Sequence, residues 1–171
     1  MELPKIKNSY NYENNFYLSC DTQRIGKFLA HYELFKMSAK IPGSIIECGV
    51  FKGNSLIRFA SFRELGISKS KKIIGFDMFG KFPETNFQKD KKIRKEFINT
   101  HGSEGITKQQ LIKVLKQKKI DQKIELIKGN IIQTIPNYVK KYPKLKISFL
   151  NLDSDTYEAA KIILEYLYPK I

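Results

Sequence analysis

The segment that most constrains the fold combines a buried-strand pattern with a glycine turn and a helix start. It reads Ser44-Ile45-Ile46-Glu47-Cys48-Gly49-Val50-Phe51-Lys52-Gly53-Asn54-Ser55. The glycines allow a sharp turn and a close approach of the backbone to a ligand, and Asn54 or Ser55 can cap the following helix. Free N–H groups at such a helix start favour a carboxylate or a phosphate. The segment therefore predicts a site for a nucleotide-like cofactor. Its candidate binding residues are Glu47, Gly49, Val50, Phe51, Gly53 and Ser55.

The spacing within this turn favours one class of cofactor. A dinucleotide-binding loop would read G-x-G-x-x-G, whereas Gly49 and Gly53 are four residues apart and Glu47 stands at the strand end. A carboxylate at this position suits a cofactor that has an amine, such as S-adenosylmethionine, better than a pyrophosphate. An ordinary strand-to-helix turn also accounts for a glycine pair, so this segment alone leaves both interpretations open.

The composition is that of one globular domain. The chain has 171 residues, of which 42% are hydrophobic, and this is enough for a substantial core. Its apolar runs are shorter than the roughly 18 residues of a membrane span, and its first residues lack the apolar region of a secretory signal. Cys20 and Cys48 are too few for a disulfide framework or a zinc site. We therefore expect a cytoplasmic protein without a membrane partner, and we interpret Cys48 as a small buried residue.

The net charge of +14 is composed almost entirely of lysine. Of the 31 basic residues, 27 are lysines distributed over the whole chain, and the arginines are Arg24, Arg58, Arg63 and Arg94. Proteins that read nucleic acids favour the arginine fork, whereas scattered lysines are typical of a solvated surface. We therefore expect no nucleic-acid partner, and an RNA substrate is an alternative that rests on charge alone.

Strand and helix patterns alternate along the chain. The strands are predicted at Ser44–Cys48, Lys72–Phe76, Ile124–Ile127 and Lys146–Leu152, and the helices at Arg24–Lys40, Asn54–Leu65, 130–141 and Thr156–Leu167. Pro136 is expected in the first turn of its helix. This order predicts an α/β fold, with a parallel sheet that is covered by helices on both faces. Ligands of such sheets bind beyond the carboxyl ends of the strands, where Glu47, Asp77, Gly129 and Asp153 fall.

The predicted organisation has three parts. Residues 1–43 form an N-terminal helical segment, residues 44–171 form the cofactor-binding sheet, and residues 78–123 are a lid-like insertion between the second and third strands. Helical spacing from Leu111 to Leu115 predicts a helix within this insertion. The lysine runs at 89–92 and 116–119 are interpreted as solvated faces. Attraction of an anionic, nucleotide-linked substrate is their functional alternative.

Asp77 is a candidate ligand for a ribose. It lies 24 residues after Gly53, at the end of the next predicted strand, which is near the spacing at which an acid meets the two hydroxyls of a ribose. A carboxylate can accept both hydrogen bonds. The structural alternative is that Asp77 caps the turn that follows its strand.

A cluster of acids follows the fourth predicted strand. The segment from Asp153 to Glu158 contains three carboxylates, which belong to Asp153, Asp155 and Glu158. Oxygen ligands favour a hard cation such as Mg²⁺, and Asp153 or Asp155 can also act as a general base. Asp155 can instead cap the last helix. We therefore assign the functional role to Asp153. The histidines, His31 and His101, show no spacing typical of a metal site or a catalytic triad.

Several ordered motifs resemble the macrocin O-methyltransferase (TylF-like) family. They are Asn15-Phe16-Tyr17-Leu18, the run from Pro42 to Gly53, Gly75-Phe76-Asp77-Met78-Phe79-Gly80-Lys81-Phe82-Pro83, the run from Leu152 to Glu158, and Leu167-Tyr168-Pro169. The resemblance extends over nearly the whole chain. It implies a Rossmann-like class I methyltransferase fold and S-adenosylmethionine-dependent O-methylation of a hydroxyl on a small-molecule sugar or glycoside.

The resemblance also implies roles for individual residues. Glu47, Gly49 and Gly53 would belong to the cofactor loop, and Asp77 would hold the ribose. Gly129, Asn130 and Ile131 would lie along the adenine, although many family members have an acid at the position of Asn130. Asp153 would ligate Mg²⁺ and act as the catalytic base.

The family continues beyond the point where this chain ends. A Gly-Gly turn, a fifth strand and an Asp-Asp pair that completes the metal site would follow Tyr168-Pro169-Lys170-Ile171. The resemblance therefore predicts a domain without its C-terminal strands and with a weak magnesium site. It also predicts an open sheet edge that can pair with another chain, as in a homo-oligomer. The alternative is a truncated, non-catalytic cofactor-binding or interaction protein.

Overall fold

A computed structural model describes residues 2–85 and 87–171 and shows a four-stranded sheet with helices on both faces. The strands are β1 (Ser44–Cys48), β2 (Ile73–Asp77), β3 (Ile124–Lys128) and β4 (Ile147–Leu152). The helices are α1 (Ser9–Ser19), α2 (Thr22–Ser38), α3 (Asn54–Phe62), α4 (Gln88–His101), α5 (Lys108–Gln117), α6 (Ile131–Lys141) and α7 (Tyr157–Leu167). Within the described part of the chain, no helix is long and apolar enough to cross a membrane.

The sheet is parallel and has the strand order β3-β2-β1-β4. The chain forms β1 in the centre, adds β2 and β3 on one side, and then returns to place β4 on the other side of β1. This reversal lies between β1 and β4, and in parallel sheets the crevice for ligands opens at such a point. The predicted α/β fold is confirmed, and the four strands lie within one residue of their predicted bounds.

Two apolar clusters cover the two faces of the sheet. On one face, Ile45 and Ile73 pack against Phe35, Phe59 and other residues of α2, α3 and α5. On the other face, Ile46 and Ile74 pack against α6 and α7. Alternate residues of β1 therefore enter different cores, which is why its sequence reads as a continuous apolar run.

Two local predictions are wrong. Pro136 is the sixth residue of α6 and lies outside its first turn. A proline there removes one helical hydrogen bond, and α6 tolerates this because its apolar face packs on the sheet. Asn54 and Ser55 do not cap α3, because the N-cap position is taken by Gly53, which has a φ of 85° and no side chain.

The insertion at 78–123 contains two helices rather than one. The helix predicted around Leu111 is α5, which begins with a capping box formed by Thr107 and Gln110. The sequence pattern did not predict α4, because this helix is highly polar and only Asp90 is buried on it. Backbone hydrogen bonds from Phe82 to Ser103 and from Gly105 to Gly80 join the two ends of the segment that carries α4.

Candidate active site

The turn between β1 and α3 is shaped by three residues with positive φ. Gly49 has a φ of 96° and Gly53 one of 85°, and Phe51 between them has 48°. A Cβ on Gly49 would overlap with the carbonyl oxygen of Asp153. This glycine is therefore needed for the contact between the turn and the segment after β4. The sequence pattern predicted a sharp turn and an approach to a ligand here, and not this contact.

Asp77 organises this turn through its carboxylate. Its Oδ2 accepts hydrogen bonds from the backbone N–H groups of Val50 at 2.9 Å and Phe51 at 3.0 Å, and its Oδ1 accepts one from Phe79 at 2.6 Å. Asp77 therefore does cap a turn, which is the structural role that the sequence left open for it. An ionised carboxylate has about four acceptor sites, so Oδ1 can still accept a further hydrogen bond.

Glu47 is a fully buried acid at the end of β1. Its Oε1 lies 3.5 Å from the Nδ2 of Asn151, and its Oε2 has no hydrogen-bond partner among the described residues. Burial raises the pKa of Glu47 to about 8, the charges of Asp153 and Asp77 add to the increase, and Ser55 and Asn151 oppose it. Glu47 is therefore largely protonated at neutral pH, and its free oxygen marks a place for a polar group.

This shift makes stability depend on pH. Unfolded Glu47 loses its proton near its ordinary pKa of 4.5, whereas folded Glu47 keeps it up to about 8. The stability that Glu47 contributes is therefore full below pH 4.5 and is lost as the pH rises towards 8. Relative to Glu47→Gln, the parent protein is expected to lose roughly 1 kcal/mol of unfolding free energy per pH unit in this window. Urea unfolding of both proteins at pH 5 and pH 8 measures this, and parallel pH profiles would contradict it.

Asp153 lies at the carboxyl end of β4, next to the turn. Its backbone N–H donates to the carbonyl of Cys48 at 2.9 Å, and its carboxylate forms an ion pair with the Nζ of Lys27 at 3.1 Å. Burial and the charge of Asp153 raise the pKa of Asp155, and the charges of His101 and Lys27 oppose this increase. Two acids and a lysine from α2 therefore meet at this end of the sheet.

Two clefts meet at this position. The first, which we call the cofactor cleft, has about 740 Å³ of space including its open mouth. Its lining includes Gly49, Phe51, Asp77, residues 80–85, Asn130, Ile131, Asp153, Asp155 and Glu158. The second, which we call the basic cleft, is lined by Arg24, Lys27, residues 49–52, Asn54, Ser55, Arg58, Phe97, His101, Asp153 and Asp155. The two clefts share the turn and the acids after β4.

The segment after β3 forms one wall of the cofactor cleft. Gly129 has a φ of 141°, and its N–H donates to the carbonyl of Asp77 at 2.9 Å. The Oδ1 of Asn130 accepts from the N–H of Ile132 at 3.0 Å, so Asn130 caps α6. This structural role explains why an amide can stand at this position, and the Nδ2 of Asn130 can still donate a hydrogen bond.

The structure brings together most of the predicted site residues. Phe51, Asp77, Asn130, Ile131 and Asp153 line the cofactor cleft, and Ser55 lines the basic cleft. The side chain of Val50 packs in the core, so that only its backbone is part of the site. Glu47 lies behind the turn and is fully buried.

Three basic residues of the basic cleft, Arg24, Lys27 and Arg58, were not identified as site residues from the sequence. Asn151, which lies beside the buried Glu47, was not identified either. The three basic residues lie on α2 and α3, and nothing in their spacing shows that these helices converge on Asp153. The sequence offered one usable signal, because Arg24 and Arg58 are two of only four arginines in a lysine-rich chain.

The described residues do not by themselves fit a magnesium ion. No group of three or more histidine, cysteine, aspartate or glutamate side chains in the described ranges could hold a metal. Asp153, the predicted ligand, is paired with Lys27. A site for Mg²⁺ needs about six oxygen ligands. One carboxylate that is already paired with an ammonium group does not supply them.

Three solved structures that align with this chain are described as methyltransferases. The calicheamicin methyltransferase CalS11 aligns with a TM-score of 0.72 and 24% identity over 99% of this chain and 68% of CalS11. The O-methyltransferase NovP aligns with a TM-score of 0.70 and 18% identity over 84% of this chain and 60% of NovP. An apo structure of CalS11, described as a TDP-rhamnose 3'-O-methyltransferase, gives 0.61 and 24% over 99% of this chain and 66% of CalS11.

At these identities, the likeness shows the fold alone. The chain spans 60 to 68% of the length of these proteins. A comparison with curated proteins found no match. A family model gives the more specific result. The model described as macrocin-O-methyltransferase (TylF) matches residues 21–171, which is most of the chain. The chain therefore belongs to the macrocin-O-methyltransferase (TylF) family of O-methyltransferases.

Proposed function

We propose that this chain binds S-adenosylmethionine in the cofactor cleft and transfers its methyl group to a hydroxyl of a sugar. The family match supports the cofactor and the reaction class. The observation that favours this cofactor is the unpartnered Oε2 of Glu47, which is buried behind the glycine turn, since an ammonium group that reached it from the cleft would be a suitable partner for a buried carboxylate. When bound, S-adenosylmethionine supplies an electrophilic methyl group.

Other residues of the cleft suit the remaining parts of this cofactor. Asp77 would bind the ribose through the acceptor capacity that the turn leaves free. Asn130 and Ile131 would contact the adenine, and Gly49, Val50, Phe51 and Gly53 would shape the loop around the cofactor. The amides at the start of α3, beside Ser55, would favour the carboxylate of the methionine part, because the N-cap residue Gly53 has no side chain to pair with them.

Asp153 is the proposed catalytic base. It lies where the cofactor cleft meets the basic cleft, and 40% of its side chain is exposed to solvent, so a hydroxyl can reach it. Its carboxylate would accept the proton of the acceptor hydroxyl as the oxygen gains the methyl group. Lys27 keeps the carboxylate in place through the ion pair at 3.1 Å.

A divalent cation finds no complete set of ligands among the described residues. In the family resemblance Asp153 would be one ligand of Mg²⁺, and further oxygen ligands would have to complete the site. Because the described residues do not form such a set, we assign no step of the reaction to the ion.

The proposed acceptor is a small molecule that contains a sugar. One solved neighbour is described as a TDP-rhamnose 3'-O-methyltransferase, and its substrate is a nucleotide-linked sugar. The basic cleft, with Arg24, Lys27 and Arg58, has the charge that suits an anionic acceptor. A lid role for residues 78–123, a cytoplasmic location and the formation of homo-oligomers belong to the same proposal and rest on the sequence.

Proton release on binding tests this proposal directly. At pH 7 Glu47 is largely protonated, because its pKa is about 8. An ammonium group beside it favours the carboxylate, so binding of S-adenosylhomocysteine is expected to release about one proton. Calorimetry in buffers of different ionisation enthalpy measures this number, and Glu47→Gln should bind more weakly with no release. Absence of binding by the folded parent protein would overturn the proposed function, and binding without proton release would remove Glu47 from the site.

A further inference from the structure

A buried acid of the insertion caps a helix on the opposite side of the cofactor cleft. Asp90, on α4, is fully buried. Its Oδ1 accepts from the N–H of Tyr157 at 2.9 Å and its Oδ2 accepts from the N–H of Glu158 at 3.3 Å. The N-cap residue of α7, Thr156, makes no side-chain cap. The first turn of α7 is therefore capped by a carboxylate that is 67 residues distant in the sequence.

Two further contacts join the same segments. The Thr85 hydroxyl donates to the Oε2 of Glu158 at 2.8 Å, and the Phe87 ring stacks on Tyr157 with centroids 5.4 Å apart. We call these contacts and the Asp90 cap the latch. Thr85 and Glu158 also line the cofactor cleft, Thr85 from the insertion and Glu158 from α7. The latch therefore bridges two walls of this cleft.

The latch adjoins the acids of the site along the chain. Asp153 and Asp155 lie immediately before α7, and both line the cofactor cleft. Fixing the first two residues of α7 fixes the end of this short segment, and the hydrogen bond from Asp153 to Cys48 fixes its beginning. A buried carboxylate is costly unless its oxygens are paired, and at a helix N-terminus the backbone dipoles favour it.

We propose that Asp90 is a positioning residue. Its carboxylate joins the insertion to α7. This contact closes the cofactor cleft and at the same time holds the segment from Asp153 to Asp155 in place. This inference rests on the proposed function of the cleft. Opening the latch would expose Asp90 to water and leave the first amides of α7 without their cap, so that both walls of the cleft would loosen at once.

Amide hydrogen exchange of the free protein tests the latch without any ligand. In Asp90→Asn an amide donor replaces one oxygen and faces a backbone N–H. The peptide that contains Tyr157 and Glu158 is expected to exchange at least about ten-fold faster, while peptides from β1 and β4 keep their rates. Glu96→Gln is the matched control, because Glu96 lies exposed on the same helix and should leave all rates unchanged.

Release of S-adenosylhomocysteine tests the role of the latch in the cleft. Stopped-flow measurements should show dissociation about five-fold faster from Thr85→Val, the change expected for one lost hydrogen bond, and at least as fast from Asp90→Asn. Thr85→Val introduces no buried charge defect, so it keeps the test valid if Asp90→Asn folds poorly. Glu96→Gln should release the ligand at the parental rate.

Three results would overturn the inference. Faster exchange of β1 and β4 in Asp90→Asn, to the same extent as α7, would show that Asp90 supports only global stability. Parental dissociation rates in both latch variants would show that the cleft does not depend on the latch. Failure of the folded parent to bind S-adenosylhomocysteine would overturn the proposed function and the role of the latch in it, while exchange still reports whether Asp90 caps α7.

Discussion

Asp77→Ala is expected to weaken the binding of S-adenosylhomocysteine by at least about 100-fold, which corresponds to about 3 kcal/mol for hydrogen bonds to a charged group. The variant loses the proposed acceptor for the ribose hydroxyls. It also loses the hydrogen bonds from Val50, Phe51 and Phe79 that shape the turn. Both losses act on the same ligand, so this effect should be among the largest of any single substitution in the cleft. Calorimetry on the folded variant measures it.

Asp77→Asn separates the two roles of this carboxylate. The amide keeps one oxygen, which can accept from the turn, but its NH₂ group faces backbone donors. We expect binding between that of the parent and that of Asp77→Ala. Urea unfolding reports the structural part, and circular dichroism confirms that each variant is folded. If folded Asp77→Ala bound S-adenosylhomocysteine with an affinity within three-fold of that of the parent, the ribose role would be excluded. A loss of affinity that unfolding fully explains would exclude it as well.

Gly49→Ala is expected to reduce the free energy of unfolding by more than about 3 kcal/mol, because it combines an unfavourable φ with a steric overlap. Gly49 has a φ of 96°, and its Cβ would overlap with the carbonyl oxygen of Asp153. Neither group can move easily, since the pairing of β1 with β4 ends at Cys48 and Leu152, directly before this contact, and the N–H of Asp153 donates to the carbonyl of Cys48. Relief of the overlap would displace Asp153, the proposed base.

Gly66→Ala is the matched control for this prediction. Gly66 has a φ of 94°, almost the same as that of Gly49, but a Cβ at this position meets nothing within 4 Å. It should therefore show the backbone cost alone, about 1 kcal/mol. Urea unfolding of the two variants gives the difference, which is the steric part. Equal losses of stability would show that the approach of Asp153 to the turn does not require a glycine.

Secondary structure was largely predictable where the apolar pattern is dense. The run from Ile45 to Cys48 reads as a buried strand, and β1 has the predicted bounds. The polar helix α4 was missed because its burial is confined to Asp90 and it lacks the apolar stripe of a core helix. Pro136 was predicted in the first turn of α6 and lies beyond it. The helix tolerates proline there because its packing on the sheet outweighs the loss of one helical hydrogen bond.

The candidate site was predictable in its position and not in its contacts. The alternation of strands and helices placed Glu47, Asp77 and Asp153 at one edge of a parallel sheet, because the carboxyl ends of such strands lie together. The sequence could not show that Gly49 accommodates the backbone of Asp153, since this contact joins segments about a hundred residues apart.

The sequence by itself determined the order of the strands along the chain, the glycine turn, the acids at the strand ends and the family resemblance, because local periodicity and motif spacing encode them. The tertiary structure alone decided which groups meet. It paired Lys27 with Asp153, left one oxygen of Glu47 without a partner among the described residues, and placed Asp90 at the start of α7. These contacts depend on how distant segments pack, and burial and neighbouring charges then set the protonation of Glu47.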